Sequence, residues 1–177
     1  MNLPKLARES IKQFLETGKY LKPENILGID KKFLKERAGV FVSIHLKNGK
    51  LRGCIGTFLP TKKNIAQEVI HNAVAAAIRD YRFYPVVKDE LSNIEISVDV
   101  LGKPESVNSK NELDHKKYGI ITKCGQKTGL LLPDIDGVNS VKHQLQICCA
   151  KANILPDEPF KIERFRVTRY HETDNQQ

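Results

Sequence analysis

Apolar residues recur at helical spacing from the start of the chain. Leu3, Leu6, Ala7, Ser10, Ile11, Phe14 and Leu15 form one stripe, and Gly18 is a stop. The spacing predicts an amphipathic helix over 3–17. A second helical pattern spans 62–80, with Ile65, Ala66, Val69, Ile70, Ala73, Val74, Ala77 and Ile78 on a broad apolar face. A third covers 140–152, with Val141, Leu145, Cys148, Cys149 and Ala152 as its stripe. Between the first two lies a linker rich in Pro, Gly and charge, with a short helix near 31–37.

Strict alternation marks the strands. In "NIEISVDVL", Ile94, Ile96, Val98 and Val100 face a core while Glu95, Ser97 and Asp99 face away. Residues 102–117 read as loop, "YGIITKCGQKTGLLLP" as a hairpin turning at 125–128, 133–139 as loop, and "FKIERFRVTRYHE" as one final strand. The tail at 173–177 is expected to fray.

The clearest local signal is "VFVSIHLK" and "KLRGCIGTF" around Asn48–Gly49. Asn-Gly between alternating apolar runs predicts a two-residue hairpin turn with positive φ at both positions. That register sets Leu46 opposite Leu51, His45 opposite Arg52, Ile44 opposite Gly53, Ser43 opposite Cys54 and Phe41 opposite Gly56. Val42, Ile44, Leu46, Leu51 and Ile55 then form the core face. Phe41, Ser43, His45, Arg52, Cys54 and Gly56 share the other. Hairpins with inserted helices, and no regular βαβ alternation, argue for an α+β fold with a mostly antiparallel sheet packed with helices. One domain over 1–172 is expected, with a small lobe drawn from 20–40 and part of 60–90.

Composition narrows the class. The 177 residues are 40% hydrophobic and 28% charged, which suits one soluble globular domain with a real core. No apolar run approaches the roughly eighteen residues of a membrane span, and the charged opening lacks a signal-peptide core. We read the protein as cytoplasmic. The net charge is +8, concentrated early: residues 1–50 carry eleven Lys/Arg against five Asp/Glu. No basic stripe interleaves with aromatics, so nucleic-acid binding is the weakest reading and a solvated Lys-rich face the simplest. The four cysteines form no C-x-x-C pair and the five histidines no H-x-x-x-H pair, so no metal site and no cofactor is predicted.

Cys54 is the leading reactive candidate. Arg52 on the same strand face would favour a thiolate, His45 lies diagonally across the hairpin, and Gly56 leaves the face bare beside the sulfur. The alternative is a small residue packed where a strand meets another element. Cys148 and Cys149 sit on an apolar stripe and read as core. Asp80, Arg82 and Phe83 in "DYRF" stand at a helix end, either as a surface turn or as the wall of a cleft. Glu95, Ser97 and Asp99 project together from one strand and matter only if that face adjoins Cys54.

"GVFVSI" followed by "LRGCIG", an Ala-rich helix ending in "DYRFYPVVKDEL", then "IEISVDVL", "YGIITKCGQKTGLLLP" and "CCAKANI" resemble the AMMECR domain, whose prokaryotic branch is AmmeMemoRadiSam system protein A. The likeness covers roughly 3–172, and "LRGCIG" is its most specific element. The third-helix region lacks the Trp and Phe that the family often carries. The resemblance implies a two-lobed α+β domain with the "LRGCIG" segment lining a cleft that takes a small-molecule or peptide ligand. It implies no settled reaction. It implies a pathway shared with a Memo-like protein and a radical SAM enzyme. The recurrent positions are Leu51, Arg52, Gly53, Cys54, Ile55 and Gly56, then Asp80, Arg82 and Phe83, then Glu95 and Ser97. Two readings stay open: an enzyme or enzyme component with Cys54 and Arg52 as catalytic pair and Gly53, Gly56, His45, Asp80, Arg82, Phe83, Glu95 and Ser97 around the ligand, or a non-catalytic scaffold for those enzymes.

Overall fold

The computed structural model describes residues 1–23 and 26–173. Among them run three helices, α1 (Leu3–Thr17), α2 (Ile65–Ile78) and α3 (Val141–Lys151). Eight strands accompany them: β1 (Val40–Leu46), β2 (Leu51–Thr57), β3 (Ile94–Leu101), β4 (Glu105–Ser106), β5 (Gly119–Cys124), β6 (Lys127–Leu131), β7 (Lys161–Phe165) and β8 (Val167–His171). The class is α+β with antiparallel pairing. The chain divides into two compact units, Met1–Val100 with Thr168–Gln177, and Leu101–Val167. Residues 20–40 and 60–90 thus belong to the first unit, not to a lobe of their own. The expected frayed tail lies, beyond Thr173, outside the described residues. No helix among the described residues is long and apolar enough to cross a membrane.

The first unit carries a sheet in the order β2-β1-β3-β8. Helix α2 packs on β1 and β2, and α1 packs on α2. Val40, Val42, Ile44, Val98, Ala66, Val69, Ala73, Leu3 and Leu6 are fully or almost fully buried between these layers. Asn2 caps α1 by accepting the Lys5 N–H at 3.0 Å, and Gly18, at φ 70°, closes it.

Helix α2 starts at Ile65, later than the apolar period suggests, because the preceding turn is committed elsewhere. The buried Glu68 carboxylate accepts the Thr61 and Lys62 N–H groups, each at 2.8 Å, and the hydroxyls of Thr57 at 2.7 Å and Thr61 at 2.9 Å. Burial works against its charge, but these four donors outweigh it and hold the carboxyl below its ordinary pKa. Glu68→Gln keeps the volume and turns an acceptor into a donor facing donors. It is expected to cost about 1–3 kcal/mol, read from the urea midpoint.

The second unit carries a sheet in the order β4-β7-β5-β6, with α3 on β5 and β6. A Cβ at Gly129 would lie 2.0 Å from the Cys148 carbonyl oxygen, so glycine sets how close α3 sits. Ile120, Leu131, Leu145 and Cys148 fill the core. Burial raises the Cys148 thiol pKa, as expected for a core cysteine.

Three sequence expectations are corrected. "FKIERFRVTRYHE" is not one strand: β7 pairs in the second unit and β8 in the first. Alternation along one segment cannot show that its two halves join different sheets. The loop read over 102–117 contains the short strand β4, paired with β7. The hairpin turn is not a two-residue turn. Gly49 at φ 83° is its sole positive-φ residue. Gly49 N–H donates to the Leu46 carbonyl and Leu46 N–H to the Lys50 carbonyl, both at 2.8 Å. This is a three-residue connection with a glycine bulge.

Candidate functional site

The extra turn residue displaces the first pairs of the hairpin. His45 faces Leu51 instead of Arg52. The register slips between Ile44 and His45, leaving Arg52 as the unopposed residue. Beyond it the pairing is the expected one: Ile44 with Gly53, Ser43 with Cys54, Val42 with Ile55 and Phe41 with Gly56. Leu51 leaves the core face and is exposed, while Ile55 packs against the core.

The bulge decides what Arg52 does. Its Nε and Nη2 grip both carboxylate oxygens of Glu90 at 2.8 and 2.9 Å, and its Nη1 and Nη2 reach the carbonyls of Tyr84 at 2.9 Å and Pro85 at 3.4 Å. The bidentate pair also holds the Glu90 carboxyl below its ordinary pKa. Among the described residues, the hydrogen bonds of Arg52 all go to the 84–90 segment.

Strand β2 is the edge of its sheet, and its edge is covered at Cys54. Cys54 N–H donates to Asp80 Oδ2 at 2.9 Å, and Arg82 Nη2 donates to the Cys54 carbonyl at 3.3 Å. Asp80 and Arg82 are joined by Nε–Oδ1 at 2.9 Å and Nη2–Oδ2 at 2.7 Å. One carboxylate and one guanidinium thus supply the acceptor and the donor that a neighbouring strand would bring. Asp80 is only 4% exposed, and the Arg82 hydrogen bonds, against burial, hold its carboxyl far below the usual range. Asp80 in turn raises the Arg82 pKa.

The two motif glycines make packing contacts. A Cβ on Gly53 would lie 2.3 Å from the Ala76 carbonyl oxygen of α2, and one on Gly56 would lie 2.2 Å from Phe41 Cγ. Phe41 lies over Gly56, so that position is not bare. Phe83 is half-buried, and the Arg82 guanidinium lies 5.4 Å from its ring centroid.

The remaining polar candidates do adjoin. On the sheet face opposite the helices, Ser43 pairs with Cys54 on one side and Ser97 on the other. Ser43 Oγ donates to Cys54 Sγ at 3.3 Å. One row on, His45 pairs with Glu95, and in the other direction Phe41 pairs with Asp99. Asp99 is buried and taken by Arg169 at 2.8 and 3.0 Å. Cys54, Ser43, Ser97, His45 and Glu95 therefore form a polar strip. No hydrogen bond joins His45 to either Cys54 or Glu95. Among the described residues no group of three or more His, Cys, Asp or Glu is placed to hold a metal ion.

The sequence reading passed over Glu68 and Glu90, the two carboxylates that fix the segments flanking the motif. The Glu90 carboxylate accepts the Val87 N–H at 2.9 Å as at a helix start, but with Val at the cap position the sequence carries no capping-box signal for it.

A sequence model of the AMMECR1 family matches residues 4–174. The chain belongs to the AMMECR1 family. A Thermotoga maritima protein is 48% identical over 94% of this chain and 95% of its own length. A Clostridium acetobutylicum protein is 51% identical over 96% of this chain, which spans only 36% of that longer relative. Among solved structures, an uncharacterized protein from Pyrococcus horikoshii shares the fold at a TM-score of 0.86 and 30% identity. That match covers 97% of this chain and 90% of that one. Within the matched span, the "DYRF" segment closes the edge of the strand that carries "LRGCIG".

Proposed function

We propose that this AMMECR1-family chain is a cytoplasmic enzyme or enzyme component acting in a pathway with a Memo-like protein and a radical SAM enzyme. Its small-molecule or peptide ligand lies on the strip of Cys54, Ser43 and Ser97. The observation that carries this reading is a half-buried thiol on a backbone fixed at both its N–H and its C=O. A group held this way needs little reorganisation to meet a ligand. His45 and Glu95 stand one row away as a base and its orienting carboxylate, to be drawn in when ligand binds.

Iodoacetamide labelling across pH tests the thiol. Cys124 is also half-buried and serves as the internal reference. Cys54 is expected to label at least about tenfold faster than Cys124 below pH 8, since its backbone is held at both ends and its sulfur lies on the polar strip. A Cys54 as slow as the buried Cys148 up to pH 9 would remove it as a reactive group. The scaffold reading draws support from a different observation. Tyr81 and Tyr84, 95% and 91% exposed, stand on a loop pinned by Asp80, Arg82 and Arg52. Co-purification with a Memo-like protein that survives Cys54→Ser but fails on a double Tyr81→Ala, Tyr84→Ala change would favour the scaffold.

A further inference from the structure

The second unit gathers cations about one tyrosine. The Arg164 guanidinium, the Arg166 guanidinium and the Lys117 ammonium lie 4.5, 5.2 and 5.4 Å from the Tyr118 ring centroid. The ring is firmly placed. Tyr118 N–H donates to the Asp114 carbonyl at 2.8 Å, and its own carbonyl accepts Nε2 of the fully buried Gln144 at 2.9 Å. The next residue is glycine because the Phe165 ring would lie 2.3 Å from a Cβ there. The Arg166 backbone is held in turn, its carbonyl accepting the Gly102 N–H at 2.8 Å.

The three cations are not equivalent. Arg164 is engaged by Glu105 at 3.3 Å and by the Glu112 carbonyl at 2.6 Å. Arg166 gives one N–H to Tyr118 Oη at 3.3 Å, and among the described residues neither Arg166 nor the Lys117 ammonium has a carboxylate partner. The Asp114 carboxylate of the same turn accepts the backbone N–H groups of Lys116 and Lys117 at 3.0 and 3.3 Å. The Tyr118 oxygen accepts from Arg166, so its own proton is free to donate. Arg166 and Lys117 each lie within 5.4 Å of the Tyr118 ring centroid, and with the Tyr118 hydroxyl they offer donors around one ring with no carboxylate among them. Two uncompensated like charges around one ring repel. The ligand that relieves this is an oxyanion, which has acceptors only and negative charge.

We propose that Tyr118, Arg166 and Lys117 form an anion site in the second unit for the phosphate group of a small phosphorylated molecule. Arg164 acts as the positioning residue that holds the ring. A small ligand fits better than a nucleic-acid strand, because cations already lie over the aromatic surface on which bases would stack. The site shares no residue with the Cys54 strip and stands or falls apart from it.

Calorimetric titration of the full chain at low ionic strength, with inorganic phosphate and with glycerol 3-phosphate, tests it. Arg166→Gln and Lys117→Gln should each weaken binding about tenfold. Tyr118→Phe, which keeps the ring and loses only the donor, should weaken it about threefold with an unchanged unfolding midpoint. Lys142→Gln, an exposed control on α3 of the same unit, should leave affinity unchanged. Undiminished binding by Arg166→Gln, or equal loss in the Lys142 control, would overturn the site. So would tighter binding of a single-stranded RNA oligomer with a salt slope of several released ions, which would assign the patch to nucleic acid instead.

Discussion

Gly53→Ala lowers the stability of the protein by about 3 kcal/mol, seen as a fall in the urea midpoint at unchanged slope. The added methyl would lie 2.3 Å from the Ala76 carbonyl oxygen. That oxygen belongs to the backbone of α2, whose Ala66, Val69, Ala73 and Ala77 are packed on the sheet. A flexible side chain could swing away, but a helix backbone must move as a body. Gly49→Ala is the control. Nothing stands within 4 Å there, and only the φ of 83° is at stake. It should cost about 1 kcal/mol. A Gly53→Ala protein as stable as wild type would show that α2 does not rest on β2 as described. The result bears on function too: activity lost on changing Gly53 reports the seating of α2, not contact with a ligand.

Asp80→Asn is expected to cost about 2–3 kcal/mol at neutral pH. The carboxylate is buried and serves both Arg82 and the Cys54 N–H. The Arg82 side chain is 44% exposed and can be rehydrated, which keeps the figure at the low end for a broken buried pair. The pH dependence carries a definite sign. Arg82 holds the folded-state pKa of Asp80 below its unfolded value. The stabilisation is therefore complete above the unfolded value of about 3.9 and is lost progressively as pH falls below it, because the unfolded chain takes the proton first. The stability gap between wild type and Asp80→Asn should narrow between pH 4 and pH 2.5 in urea titrations. A gap that stays constant over that range would mean that folding does not hold the Asp80 pKa below its unfolded value. The same variant should loosen the edge of β2, giving faster amide exchange at Cys54 than at Ser43 on the neighbouring inner strand.

These two residues show why the motif was readable while its use was not. "LRGCIG" and "DYRF" stand out in the sequence, within the span that the AMMECR1 family model matches. Taken singly, Arg52, Gly56 and Asp80 suggested a site: a cation for a thiolate, a bare approach and a cleft wall. Each suggestion rested on residue type and strand parity. The tertiary partners are Glu90, Phe41 and the Cys54 backbone, all more than ten residues away in the chain. No periodicity encodes such pairings. His45 was misplaced for a local reason. The Asn-Gly signal is shared by two turn types that differ by one residue, and the bulge at Arg52 absorbs the difference.

The sequence by itself determined the three helices, the hairpin with Ser43 opposite Cys54, the outward row of Glu95 and Ser97, and the α+β class. Each of these follows from side-chain period, caps and glycine, which act over a few residues. Only the tertiary structure decided that the final strand divides between two sheets and that Arg52 is held by Glu90. The same holds for the edge of β2, closed by an ion pair, and for the cations that meet at Tyr118. Those outcomes depend on burial and hydrogen-bond completion between segments far apart in the chain. There the cost of leaving an edge, a charge or a carbonyl unpaired selects the partner.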